Sequence, residues 1–200
     1  MDIELFVRYF LGIYFLLIGL NYTSASIALR QRTGLRQIHY GPAGSRTWWY
    51  RQAFNGFRGT ILGVCLVRMV WPLDPWLGII TPLYQPALLL TGVFLMLAAF
   101  TLIAYVHSYM HNDWRSGIDP DLVKPLITDG PFSRSRNPLF MAIMTGQLGF
   151  FLALPSLFSL ICLLTGATVL ALQTRAEEAH LQALHPDDYR AYQQQVRRWL

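Results

Sequence analysis

NPLFMAIMTGQLGFFLALPSLFSLICLLTGATVLALQT, residues 137–174, contains no charged side chain. A helix needs about 20 apolar residues to cross a bilayer, so this run is far too long for one crossing. Pro155-Ser156 divides it, because proline ends a helix at the residue before it. The first arm, residues 139–154, reaches about 24 Å at 1.5 Å per residue, just short of a full crossing. The second arm is residues 157–174. No soluble loop separates them, so the run predicts a tight, tilted helical hairpin.

Upstream, residues 9–29 are uncharged and predict span one. Residues 59–73 form a weaker second span, interrupted by Arg68, which is expected to snorkel or to pair with Asp74. Residues 75–106 are uncharged too, but Pro82 and Pro86 turn the first part into a loop and leave 86–106 as span three. With five spans, fourteen of the sixteen basic residues fall on one side: Arg30 to Arg58, Arg115 to Arg136, and Arg175 to Arg198. The opposite loop, 72–85, has none. The positive-inside rule then places the N-terminus outside and the tail in the cytoplasm, in a bacterial inner membrane. Losing span two would reverse the topology upstream of it. The six tryptophans lie outside or at the ends of the apolar runs, as in an interfacial belt. Asp2 and Glu4, with a long apolar run behind them, argue against a cleavable signal peptide.

Composition agrees with a membrane chain. Of the 200 residues, 54% are hydrophobic and 14% charged, and the mean hydropathy is +0.34. A soluble domain carries about 25% charge, so a soluble enzyme, a disordered chain and a nucleic-acid binder are all disfavoured. The net charge of +5 comes from fifteen arginines and one lysine. Cys65 and Cys162 sit in apolar runs and read as small hydrophobes. The expected fold is an all-α polytopic bundle of about five transmembrane helices, ending in the hairpin and an amphipathic tail helix. Spans one to three (1–106) and the remainder (107–200) form one integrated domain.

The hairpin brings two clusters together. Asp129-Gly130-Pro131-Phe132-Ser133-Arg134-Ser135-Arg136-Asn137-Pro138 precedes it, and Arg175-Ala176-Glu177-Glu178 follows it. Both must emerge at one membrane face, with Pro138 starting a helix. Positive-inside anchoring and a solvated helix end explain the two clusters plainly. Adjacent glutamates at a helix C-terminus oppose its dipole, however, and call for a cationic or donor-rich partner.

Gly-Pro-Phe-x-x-x-Arg-Asn-Pro-Leu-Phe before a short hairpin, then Arg-x-Glu-Glu-x-x-Leu, then Tyr189-x-x-Tyr192-x-x-x-Val196, resembles the isoprenylcysteine carboxyl methyltransferases. The phospholipid N-methyltransferases are similar. The resemblance covers about residues 107–200. It implies S-adenosylmethionine as cofactor, with Gly130, Arg136, Asn137, Pro138 and Phe140 forming one wall of its pocket. Glu177 and Glu178 would form another wall, with Tyr189 and Tyr192 closing it from the tail. It implies catalytic roles for Arg175 and Arg136 near the acceptor. Two residues depart from the pattern: Asn137 stands where His is usual, and Phe140 where Tyr is common. Asn keeps a donor and an acceptor but cannot take a charge. Leu184-His185-Pro186 replaces the usual Phe-Gly, and Asp187 is available to cap the next helix.

Methyl transfer from a sulfonium is an in-line displacement, so such an enzyme chiefly aligns donor and acceptor. An arginine would orient an acceptor carboxylate bidentately, whereas an amine acceptor must first lose a proton. A lipophilic acceptor, a carboxylate, thiol or amine, would enter from the bilayer while the cofactor arrives from the cytoplasm. The expected partners are therefore a lipophilic or lipidated acceptor and membrane lipids, with no nucleic acid; oligomeric state stays open. Two other readings stay open as well, an NADPH-dependent reductase of the sterol-reductase type and a non-catalytic membrane adaptor.

Further features have plain explanations. His107 and His111 have an i, i+4 spacing that can hold a metal, but no Glu base lies between them and no metal is expected. Arg30 to Arg58, with Trp48-Trp49-Tyr50, reads as topology-setting or as a surface for anionic lipid. Residues 187–200 read as an amphipathic helix with Tyr189, Tyr192, Val196 and Trp199 on one face.

Overall fold

The computed structural model describes residues 2–33, 42–110 and 125–200. Seven α-helices are present among them: α1 (Ile3–Thr33), α2 (Arg46–Val70), α3 (Asp74–Leu77), α4 (Pro86–Met110), α5 (Pro138–Ala153), α6 (Leu157–Leu184) and α7 (Pro186–Gln195). Four contain stretches long and apolar enough to cross a membrane: Ile3–Ala28, Trp48–Val70, Pro86–Met110 and Leu157–Leu184. With the shorter apolar α5 these give the expected all-helical polytopic bundle. The second span is longer than its uncharged run, within a 25-residue helix, and remains the least apolar of the four.

Span one begins earlier than its uncharged run because Arg8 is neutralised within the bundle. The Asp74 carboxylate accepts from Arg8 Nη2 at 2.7 Å and from Arg68 Nε at 2.6 Å. Arg68, only 1% exposed, also donates to the Tyr84 hydroxyl at 3.1 Å. Of its two expected fates, Arg68 takes the ion pair and ties α2 to the start of α3.

Helix α1 meets its neighbours through aromatics. Tyr14 meets Phe100 of α4 edge-on at 6.4 Å, Phe15 meets Phe150 of α5 edge-on at 5.1 Å, and the Tyr14 hydroxyl donates to the Met96 carbonyl of α4 at 2.8 Å.

The hairpin forms, but its short first arm packs most extensively on α4 rather than on α6. Glycine permits that approach. A Cβ on Gly92 would stand 2.3 Å from the Ala153 nitrogen, and one on Gly149 would stand 2.8 Å from the Gly92 carbonyl oxygen. Small residues drive such contacts, because in lipid helices associate by close packing rather than by hydrophobic burial.

The hairpin turn is secured by a capping box, in which Ser156 and Ser159 exchange side-chain and backbone bonds. It also pairs with the loop before α4. Ile80 N–H donates to the Pro155 carbonyl and Leu157 N–H to the Gly78 carbonyl, at 2.8 and 2.9 Å. The α3 loop and the hairpin turn therefore share one end of the bundle. The ends of α4 and α6 and the start of α5 form the other.

Candidate functional site

At that second end the chain enters α5 through a tight turn. Gly130 has φ +54°, and a Cβ there would stand 2.3 Å from Tyr109 Cζ at the end of α4. A short 3-10 turn, Gly130–Ser133, leads to Asn137, which precedes Pro138 at the first helical position. Proline fits there because the first turn of a helix needs no N–H donor.

The expected compensation for the paired glutamates is present, and it centres on Glu178. Its buried carboxylate accepts through Oε1 from Arg136 Nε and Nη2, at 3.3 and 3.1 Å, and from Asn137 Nδ2 at 3.1 Å. Oε2 accepts from Arg198 Nε and Nη2 at 3.0 and 2.9 Å. Arg136, Asn137 and Glu178 are thus one connected polar cluster between the start of α5 and the last turns of α6. Charge-assisted bonds of this kind are the strong ones, and burial keeps solvent from screening them.

The tail completes the cluster in a way the periodicity did not anticipate. Helix α7 stops at Gln195, and Val196 is extended, with φ −123° and ψ 131°. Residues 196–200 are therefore not the end of an amphipathic helix but a strap laid across the turn before α5. Its carbonyls accept four bonds. Arg136 Nη1 donates to Val196 at 2.8 Å and Arg136 N–H to Arg197 at 3.0 Å. Ser135 Oγ and Asn137 Nδ2 donate to Arg198, at 3.1 and 3.2 Å. In extended form these carbonyls satisfy Ser135, Arg136 and Asn137.

The two tail tyrosines are buried and face this assembly. Tyr189 lies 6.0 Å from Tyr192, ring to ring. The Tyr192 hydroxyl donates to the Phe132 carbonyl at 2.6 Å. Burial pushes the Tyr192 phenol up to about 12, and the Glu178 bonds raise the Arg198 guanidinium above its usual value. Asp187 lies in the first turn of α7, with no side-chain cap bond at that helix start.

The remaining expected residues are placed as follows. Pro138 and Phe140 are buried in the first turn of α5. Glu177 accepts from Gln173 Nε2 at 3.0 Å, on a face of α6 neighbouring that of Glu178. Arg175 is exposed, one turn before Glu178, and does not join the cluster. His111 and the Asn112-Asp113-Trp114 segment lie outside the described residues. Sequence reasoning missed Ser135 and Arg198, the latter because it read only as an anchoring charge. The one available signal was the need of Glu178 for a second cationic partner.

The arrangement offers carboxylate acceptors, an amide and guanidinium donors around one point where membrane helices end. That donor set suits a ligand carrying both a cation and hydroxyl groups. Among known proteins, a family model described as phospholipid methyltransferase matches residues 86–188. No curated protein and no solved structure matches the chain. The matched region runs from the start of α4 into α7, and so contains Ser135, Arg136, Asn137 and Glu178 but not Tyr189, Tyr192 or the strap.

Proposed function

Because the chain belongs to the phospholipid methyltransferase family, we propose that it moves a methyl group from S-adenosylmethionine to a lipophilic acceptor at the cytoplasmic face of the membrane. Methyltransferase activity follows from the family; the donor, the acceptor and the face are our reading. The observation that carries it is the Arg136–Asn137–Glu178 cluster, buried where α5 begins and α6 ends. It lies within the matched region.

When bound, S-adenosylmethionine supplies an electrophilic methyl on a sulfonium that leaves as a neutral thioether. The protein therefore needs to orient and to desolvate rather than to provide a nucleophile. Glu178 and Glu177 supply carboxylates for hydroxyl and ammonium donors, and Asn137 supplies an amide. Asn137 needs no charge for this, so its place where His is usual is compatible with binding. Exposed Arg175 stands beside the cluster, where it would meet an anionic group of the acceptor such as a phosphate or carboxylate. For an amine acceptor, a carboxylate or water takes the proton before transfer.

Calorimetry of S-adenosylmethionine on purified protein in nanodiscs tests this, with Glu177→Ala as control. Micromolar binding lost in the variant supports the reading. No binding by well-folded protein overturns it, and a titration with NADPH then asks whether the site serves a reductase instead.

A further inference from the structure

Resting on that reading of the site, we propose that the strap at residues 196–200 is a self-competing lid, whose Arg198 guanidinium holds the place on Glu178 that the cationic end of S-adenosylmethionine takes on binding. Every acceptor direction of Glu178 is in use: Oε1 serves Arg136 and Asn137, and Oε2 serves Arg198 twice. No ligand donor reaches this carboxylate until one of the three partners withdraws.

The partners are not equally held. The Arg136 side chain is 9% exposed and holds Glu178 through both Nε and Nη2 without help from the strap; that of Arg198 is 41% exposed. Water can replace the bonds of Arg198 but not those of Arg136, so Arg198 is the one that exchanges. Charge points the same way. Arg136, Arg198 and Glu178 together carry one net positive charge. Withdrawing Arg198 leaves a neutral pair, and an incoming ammonium or sulfonium restores the original balance. The strap also occupies Asn137, whose Nδ2 donates to the Arg198 carbonyl. Opening therefore frees a carboxylate oxygen and an amide donor together.

A closed lid reduces apparent affinity by the fraction of time it is open. If the strap is open about one tenth of the time, removing its side-chain anchor tightens binding about ten-fold. The experiment is calorimetry of S-adenosylmethionine on wild-type, Arg198→Ala and Arg198→Gln proteins in nanodiscs. Arg197→Ala serves as a control that removes the same charge from an exposed neighbour. A nitroxide on Leu200→Cys reports the strap directly, since Cys65 and Cys162 are buried.

Tighter binding by both Arg198 variants, unchanged binding by Arg197→Ala, and a label that becomes more mobile as cofactor saturates the protein support exchange. Weaker or unchanged binding by the Arg198 variants, or a label that cofactor leaves still, overturns the exchange alone. Absence of binding by wild-type and variants alike overturns the exchange together with the methyl-donor reading beneath it.

Discussion

Glu178 and Arg198 lie 20 residues apart in sequence and meet through two bonds to a single carboxylate oxygen, Oε2, at 3.0 and 2.9 Å. The other oxygen, Oε1, holds Arg136 and Asn137 at the start of α5. One carboxylate thus joins the end of α6, the start of α5 and the strap.

Replacing Glu178 by Ala is therefore expected to do more than remove one ion pair. It leaves Arg136 with its charge uncompensated at 9% side-chain exposure, and breaking a buried pair costs on the order of 3 kcal/mol. Thermal unfolding in detergent should show a marked loss, and Glu178→Gln a smaller one because Oε1 still accepts. Equal stability of Glu178→Ala and wild type would contradict this.

At the α4–α5 contact, Gly92→Ala pushes a methyl against the Ala153 nitrogen, a backbone atom that cannot rotate away. Overpacking of this kind costs about 1–3 kcal/mol. Gly19→Ala in α1 meets nothing within 4 Å and should be neutral or stabilising by roughly 0.5–1 kcal/mol. Parallel melting curves test the contrast, which fails if both variants shift the same way.

Asp74→Asn removes the charge facing both Arg8 and Arg68. Because Arg68 is fully buried, a loss on the order of 2–4 kcal/mol is expected. The substitution lies at the opposite end of the bundle from Glu178, so a label on the strap should not respond. A strap loosened by Asp74→Asn would show that the two ends are coupled.

Alkaline pH should release the tail. The Tyr192 phenol is raised from 10.0 to about 12, so its neutral form is favoured in the folded protein. The stability this contributes is complete below pH 10 and declines as pH rises towards 12. Tyr192→Phe lacks both the bond to Phe132 and this sensitivity. Melting temperatures of the two proteins across that interval should converge, and a constant gap would exclude the mechanism.

Much of this was legible in the chain. Lipid is a severe solvent, and uncharged runs broken by Pro155 and Pro86 left few alternatives to a helical bundle with a terminal hairpin. The meeting of Arg136, Asn137 and Glu178 followed from antiparallel arms that begin and end at one face. Less legible was the length of α2, since its amino half is polar and the hydropathy ruler underestimates such a helix.

By itself, then, the sequence determined the class of fold, the ends that share a face and the family, because these follow from local apolarity, proline positions and motif order. Only the tertiary structure decided that α5 leans on α4, that Arg68 is buried with Asp74, and that the tail unwinds after Gln195. Each of these depends on an atom distant in sequence: a backbone that only glycine lets approach, a carboxylate on another helix, or carbonyls wanted by Arg136. Periodicity reports how a segment meets an average environment; it carries no information about a single partner that makes leaving the helix worthwhile.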